Sequence, residues 1–170
     1  MLALGIDPGT ALCGYGLVRG ENEEFELVAY GAVSTPAKDP LPKRLHQIYD
    51  VLRGLIEEHR PDAVSVEKLF FGRNTRSAIS VGHARGVALL AAEQAHLPVF
   101  EYTPAEVKQA IAGYGGADKH QMQQMVRMLL RLDFIPEPDD AADAVAIALC
   151  HLQSAHLQAM IRSQRESESI

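Results

Sequence analysis

Leu2-Ala3-Leu4-Gly5-Ile6-Asp7-Pro8-Gly9-Thr10 opens the chain with an apolar run that stops on an acid and a turn. Pro and Gly directly after Asp7 end local regularity, so Leu2–Asp7 reads as a buried strand with the carboxylate at its exit. Gly14–Val18 and Phe25–Ser34 continue as strands around the polar turn Arg19–Glu24, and such short connections predict an antiparallel meander. Pro40 and Pro42 then open a helix whose apolar positions Leu45, Ile48, Leu52, Leu55 and Ile56 recur at helical period up to His59. Ala63-Val64-Ser65-Val66 is another short strand, and like the first it leads straight into an acid, Glu67.

After a loop, Lys68–Thr75, a long helix over about 76–96 is rich in small residues, among them Ala78, Gly82, Ala84, Gly86, Ala88, Ala91 and Ala92. Val99–Tyr102 is a further strand, and Thr103-Pro104 with Glu106 caps a helix to about Ala112. Gly113-Tyr114-Gly115-Gly116 interrupts the pattern as a hinge or an ordinary turn, and Asp118–Leu132 resumes it. Past Pro136 and Pro138, a last helix runs from Asp139 to about His156. A meander followed by alternating helices and strands is mixed α/β. The expectation is a ribonuclease H-like mixed five-stranded sheet flanked by helices, in one domain over 1–158, with a flexible polar tail over 159–170.

The chain of 170 residues is long enough to bury roughly 70% of its unfolded surface without a disulfide or structural metal. Its two cysteines, Cys13 and Cys150, make no metal-ligand spacing and suit a reducing interior. The first residues lack the basic start of a secretory signal, and no apolar run approaches a membrane span; both predict a soluble, cytoplasmic protein without a membrane partner. A net charge of −6 argues at first against a polyanionic partner. The distribution says otherwise. Lys68, Arg73, Arg76 and Arg85 stand in 68–86 with no acid, whereas 132–161 holds Asp133, Glu137, Asp139, Asp140 and Asp143 with no Lys or Arg. One stretch can meet phosphates directly; the other would need cations first.

Four acids are the candidate reactive groups. Asp7 at a strand end is either a metal or phosphate anchor or an Asp closing its own turn. The same Asp-x-Gly-Thr turn is found in actin-like and sugar-kinase ATPases. Glu67 is by itself as well read as a solvated strand terminus. Its neighbours argue for more: of two adjacent rings in an extended segment, Phe70 and Phe71, one points outward. Beside Lys68, Arg73 and Arg76, an exposed ring can stack on an unpaired base while the cations hold phosphates. Asp139 reads as an N-cap. Asp140 and Asp143 share a helix face by i, i+3 spacing, and the alanine-rich surroundings place Asp143 against a core, where it would need a cation. His151, two turns on, reads as a packed histidine. Four carboxylates are hard oxygen ligands that select Mg²⁺ or Mn²⁺, and such a cluster can hold two ions.

Gly5-Ile6-Asp7-Pro8-Gly9-Thr10, Val66-Glu67-Lys68-Leu69-Phe70-Phe71, Ala84-Arg85-Gly86 and Pro98-Val99-Phe100-Glu101-Tyr102 occur in that order. Val107-Lys108-Gln109, Asp118-Lys119-His120-Gln121 and Asp140-Ala141-Ala142-Asp143-Ala144 follow. Together, over about residues 2–156, they resemble the RuvC family of Holliday junction resolvases. The resemblance implies a homodimeric, Mg²⁺- or Mn²⁺-dependent endonuclease that cuts two strands of a four-way DNA junction symmetrically, working with a branch-migration helicase complex. It implies Asp7, Glu67, Asp140 and Asp143 as metal ligands, Phe70 as the base-stacking ring, and Lys108 and Lys119 as basic residues near the scissile phosphate. Some members carry histidine where this chain has Asp140. Two other readings remain at this stage: an ATPase built on the Asp-Pro-Gly-Thr turn, and a junction-binding module without catalysis. The small-residue helix over 76–96 would serve equally as a dimer contact or as packing on the chain's own sheet.

Overall fold

Alternation along β1 (Leu2–Asp7) sorts the molecule into two layers, because successive strand side chains point to opposite faces. The computed structural model describes residues 1–21, 24–68 and 75–167, with backbone only at 75–77, 163 and 165–167. Leu2, Leu4 and Ile6 face one side. There they meet Ile48, Leu52 and Ile56 of α1 (Leu41–His59) and Ala84, Ala88, Ala91 and Ala92 of α2 (Thr75–Gln94). Ala3 faces the other side, under α5 (Asp139–Ser167), with α3 (Pro104–Ala112) and α4 (Lys119–Leu129) closing that layer through Val107, Ile111 and Val126.

The sheet is mixed. β1 pairs antiparallel with β2 (Leu12–Glu21), which pairs antiparallel with β3 (Glu24–Ser34). On its other edge β1 runs parallel to β4 (Ala63–Glu67), and β4 runs parallel to β5 (Val99–Tyr102). The order β3-β2-β1-β4-β5 is the expected meander joined to crossover units. Three parallel strands therefore end at one edge, on Asp7, Glu67 and Tyr102. The pairing of Ile6 with Val66 sets Asp7 level with Glu67, and the alternation turns both side chains toward α5.

How closely α5 lies on the sheet is a matter of three glycines. A β-carbon at Gly5 would overlap the Ala144 carbonyl, one at Gly14 the Asp140 carbonyl, and one at Gly16 would sit 2.6 Å from a Val145 methyl. Only glycine lets the helix backbone approach to this distance. Strand β2 is longer than the expected Gly14–Val18: it extends from Leu12 to Glu21, through residues that read as a polar turn.

Helix α5 also runs past the predicted end near His156, to Ser167. Its segment Asp139–Arg162 is long and apolar enough to cross a membrane by length and composition. Packing accounts for that composition: residues 144–150 are buried between the sheet and the α3–α4 layer. The alanine stripe of α2 packs on its own sheet and α1, the second of the two uses expected of it.

Candidate active site

A crevice of about 290 Å³ opens where β1 and β4 end beneath the first turns of α5. Asp7 and Glu67 enter from the strands, Asp143 from α5, Lys108 from α3 and Lys119 from α4, over an apolar floor that includes Val107, Met122 and Ile147. Each arrival has a local cause. Asp7 and Glu67 occupy matching positions on parallel neighbours. Asp140 and Asp143 lie one turn apart on α5, whose amides at Ala141 and Ala142 are met by the Pro138 carbonyl at 2.9 and 3.2 Å. Lys108 sits in α3, fixed by the expected capping box: the Glu106 amide donates to the Thr103 hydroxyl at 3.1 Å and the Thr103 amide to the Glu106 carboxylate at 2.7 Å. A second capping box, Asp118 with Gln121, starts α4 and places Lys119 at its first position.

The electrostatics are those of crowded like charges. Burial first, then Asp143, Glu67 and Asp140, push the Asp7 carboxyl up to about 7, with Lys119 opposing them. Burial also raises Glu67, reinforced by Asp143. Asp143 is raised by burial too, against the pull of Lys119. An excess of carboxylate charge in a partly desolvated crevice is relieved by protonation or by a bound cation. The donor set is all carboxylate oxygen, which fits a hard divalent cation and not a soft one. Among the described residues, no three His, Cys, Asp or Glu side chains are gathered tightly enough to enclose an ion. The acids face one another across the crevice instead.

The structure sorts the sequence-derived candidates. Asp7, Glu67, Asp143, Lys108 and Lys119 share the crevice, and Asp140 lies close enough to raise Asp7. Lys68 stands exposed just beyond Glu67, its amide donating to the Tyr102 carbonyl at 2.8 Å. Arg76 is described only as backbone in the first turn of α2, and Phe70, Phe71 and Arg73 lie outside the described residues. One expectation needs correction. Asp143 does not face an apolar core; its side chain is 51% exposed, on the crevice wall. The neighbours Ala142 and Ala144 are the ones buried, because α5 packs on the sheet while its first turns leave one side open. His151 is packed as expected, its Nδ1 2.8 Å from the Tyr102 hydroxyl and its ring against Phe100.

Sequence reasoning missed two supports. The turn after Asp7 is tied down by buried hydroxyls: Thr10 bonds Ser80 of α2, Thr35 donates to the Thr10 carbonyl, and Arg44 Nε donates to Thr35 at 2.8 Å. Their positions are far apart in sequence, so no local signal announces them. Asp139, the expected N-cap, is the first residue of α5. Its carboxylate instead reaches across to α4, 2.7 Å from the Lys119 ammonium and 3.0 Å from the Gln123 amide.

Comparison with known proteins covers the stretch of chain that carries the crevice. A family model described as crossover junction endodeoxyribonuclease RuvC matches residues 3–151. Proteins of that name from Chloroflexus aurantiacus and Desulfitobacterium hafniense are similar to this chain. The first is 60% identical over 155 residues, covering 91% of this chain and 94% of the relative. The second is 59% identical over 157 residues, covering 92% and 95%. The solved structure described as T. thermophilus RuvC in complex with Holliday junction substrate superposes with a TM-score of 0.89 at 39% identity, covering 93% of this chain and 96% of that one. An acid-lined crevice on this sheet edge, within a match that runs from β1 into α5, places the chain in the crossover junction endodeoxyribonuclease RuvC family.

Proposed function

We propose that this chain resolves four-way DNA junctions by symmetric, metal-dependent hydrolysis of two phosphodiester bonds, leaving 5′-phosphate and 3′-hydroxyl ends. The observation that carries this reading is the meeting of Asp7, Glu67 and Asp143 with Lys108 and Lys119 in one crevice, in a chain of the RuvC family. Asp7, Glu67, Asp140 and Asp143 hold hard divalent cations, Mg²⁺ or Mn²⁺, two to a site. Bound there, such ions supply an activated water and charge for the leaving oxygen.

The protein's own groups do the rest. The anchored Asp7 turn and the strand end at Glu67 fix two carboxylates rigidly, and α5 brings Asp140 and Asp143 to meet them. Lys108 and Lys119 face the scissile phosphate and balance its charge. Phe70, or Phe71 in its place, stacks on a base, with Lys68, Arg73 and Arg76 along the backbone. Two symmetric cuts require two crevices about a two-fold axis, hence a homodimer. Ile79, Gly86 and Leu90 support this: all three are exposed, and their spacing puts them on one face of α2, away from the sheet. Work in the cytoplasm beside a branch-migration helicase completes the reading on the strength of the family.

The test is nicking of a synthetic four-way junction with Mg²⁺ or Mn²⁺. Asp7→Asn is expected to lower the cutting rate by about 100-fold or more, several kcal/mol of transition-state stabilisation, with junction binding retained. Full cutting by that variant, with binding unchanged, would falsify the assignment of the acids.

A further inference from the structure

Among the described residues, Lys119 is the crevice cation paired with the acids. Its Nζ lies 2.7 Å from Asp139 and 3.9 Å from Asp143. Asp139 is steadied in turn by Gln123 at 3.0 Å, so a carboxylate outside the crevice lining holds the ammonium beside one that belongs to it. The backbone of Lys119 is fixed by the Asp118–Gln121 capping box, while its side chain is 53% exposed. A fixed base with a long, partly free stem can deliver its charge to more than one place. A divalent cation on Asp143 and an ammonium beside the same carboxylate repel each other, so each weakens the other's hold on it.

We infer that Lys119 competes with a divalent cation for Asp143, and that cation entry passes its ammonium to a DNA phosphate. The inference rests on the proposed metal centre and adds a coupling to it. Anything that draws Lys119 off Asp143 strengthens cation binding, and by reciprocity a bound cation strengthens the hold of Lys119 on a phosphate. The centre therefore loads more readily with DNA in place than without it, which ties cation loading to the presence of substrate. Asp139 acts as the positioning residue, because it keeps the ammonium near Asp143 when no phosphate is there.

Mn²⁺ binding to the DNA-free protein, followed by calorimetry, separates the possibilities. Lys119→Met keeps most of the side chain's length and removes the charge; it is expected to bind Mn²⁺ about three- to tenfold more tightly, as one partly exposed charge opposite a divalent ion warrants. Lys43→Met makes the same change in net charge on α1, where Lys43 pairs with Asp39 at 3.1 Å, and is expected to leave Mn²⁺ affinity unchanged. Equal or weaker binding by Lys119→Met overturns the competition while leaving the metal centre intact. An equal gain in both variants overturns it as well, since net charge alone would then explain the effect. No measurable Mn²⁺ binding in any of the three proteins overturns the competition and the metal centre together. Nitrogen-15 NMR of lysine ammonium groups gives a second measure. The signal missing from Lys119→Met should shift on Mg²⁺ titration with the midpoint seen calorimetrically, and a signal indifferent to saturating Mg²⁺ refutes the exchange.

Discussion

Gly5→Ala tests whether the close seating of α5 on β1 is what assembles the crevice. The added carbon would overlap the Ala144 carbonyl and lie 2.7 Å from the Ala148 nitrogen and 3.0 Å from the Ala148 methyl. Comfortable contact needs about 3.5 Å, so clearing the Ala144 carbonyl lifts α5 by roughly 1.5 Å or bends the sheet by as much. Overpacking of this kind costs about 1–3 kcal/mol, which for a chain of this size lowers the melting temperature by roughly 2–12 °C. The functional effect should be larger. Gly5 lies two residues before Asp7, and the helix it displaces carries Asp140 and Asp143, so the acids move apart. A 1 Å misplacement is worth about 100-fold in rate. Gly54→Ala is the control, since nothing lies within 4 Å of its added carbon. Replacing glycine within a helix there should stabilise by about 0.5–1 kcal/mol and leave cutting alone. Thermal melts and junction-cutting rates on the two variants suffice. A Gly5→Ala protein that melts and cuts like the parent would refute the seating argument.

The Asp7 carboxyl, raised from 3.8 to about 7, keeps a proton that the unfolded chain releases between those values. Stability without added cation therefore falls as pH rises through that window, by about 2–4 kcal/mol in all. Glu67 and Asp143, shifted the same way, add to the slope. Melting in chelator should be several degrees higher near pH 5 than near pH 8, and a slope that survives undiminished in Asp7→Asn counts against the site electrostatics. On α2, Ile79 and Leu90 are 60% and 52% exposed, so Leu90→Glu should fold normally. It should also elute as a monomer and lose paired incision of the junction; an unchanged dimer places the interface elsewhere.

Much of the architecture was legible locally because it depends on short-range signals. Asp-Pro-Gly after β1, the apolar repeat of α1 and the Thr103–Glu106 capping box each act within a few residues, and each appears where expected. Two extents were misjudged for the opposite reason. Gly14, Gly16 and Gly20 weaken β2 as an isolated strand, yet pairing on both edges and the helix above hold it over its full length. The residues from Leu157 to Ser167 include no glycine or proline to end a helix already built.

The acids divide along the same line. That Asp7 and Glu67 close apolar strands, and that Asp140 and Asp143 are one turn apart, follows from the sequence alone, because strand ends and helix periodicity are local geometry. Their meeting does not follow. It depends on the parallel pairing that sets Ile6 beside Val66 and on the glycine bed that lets α5 settle onto β1 and β2. Which acid faces solvent was also a tertiary decision. Asp143, placed against a core by its alanine neighbours, lies on the open wall because burial depends on what packs over a helix and not on the company it keeps along the chain. Asp139, to all local appearances a cap, was turned toward Lys119 by α4, an element no spacing within α5 could announce.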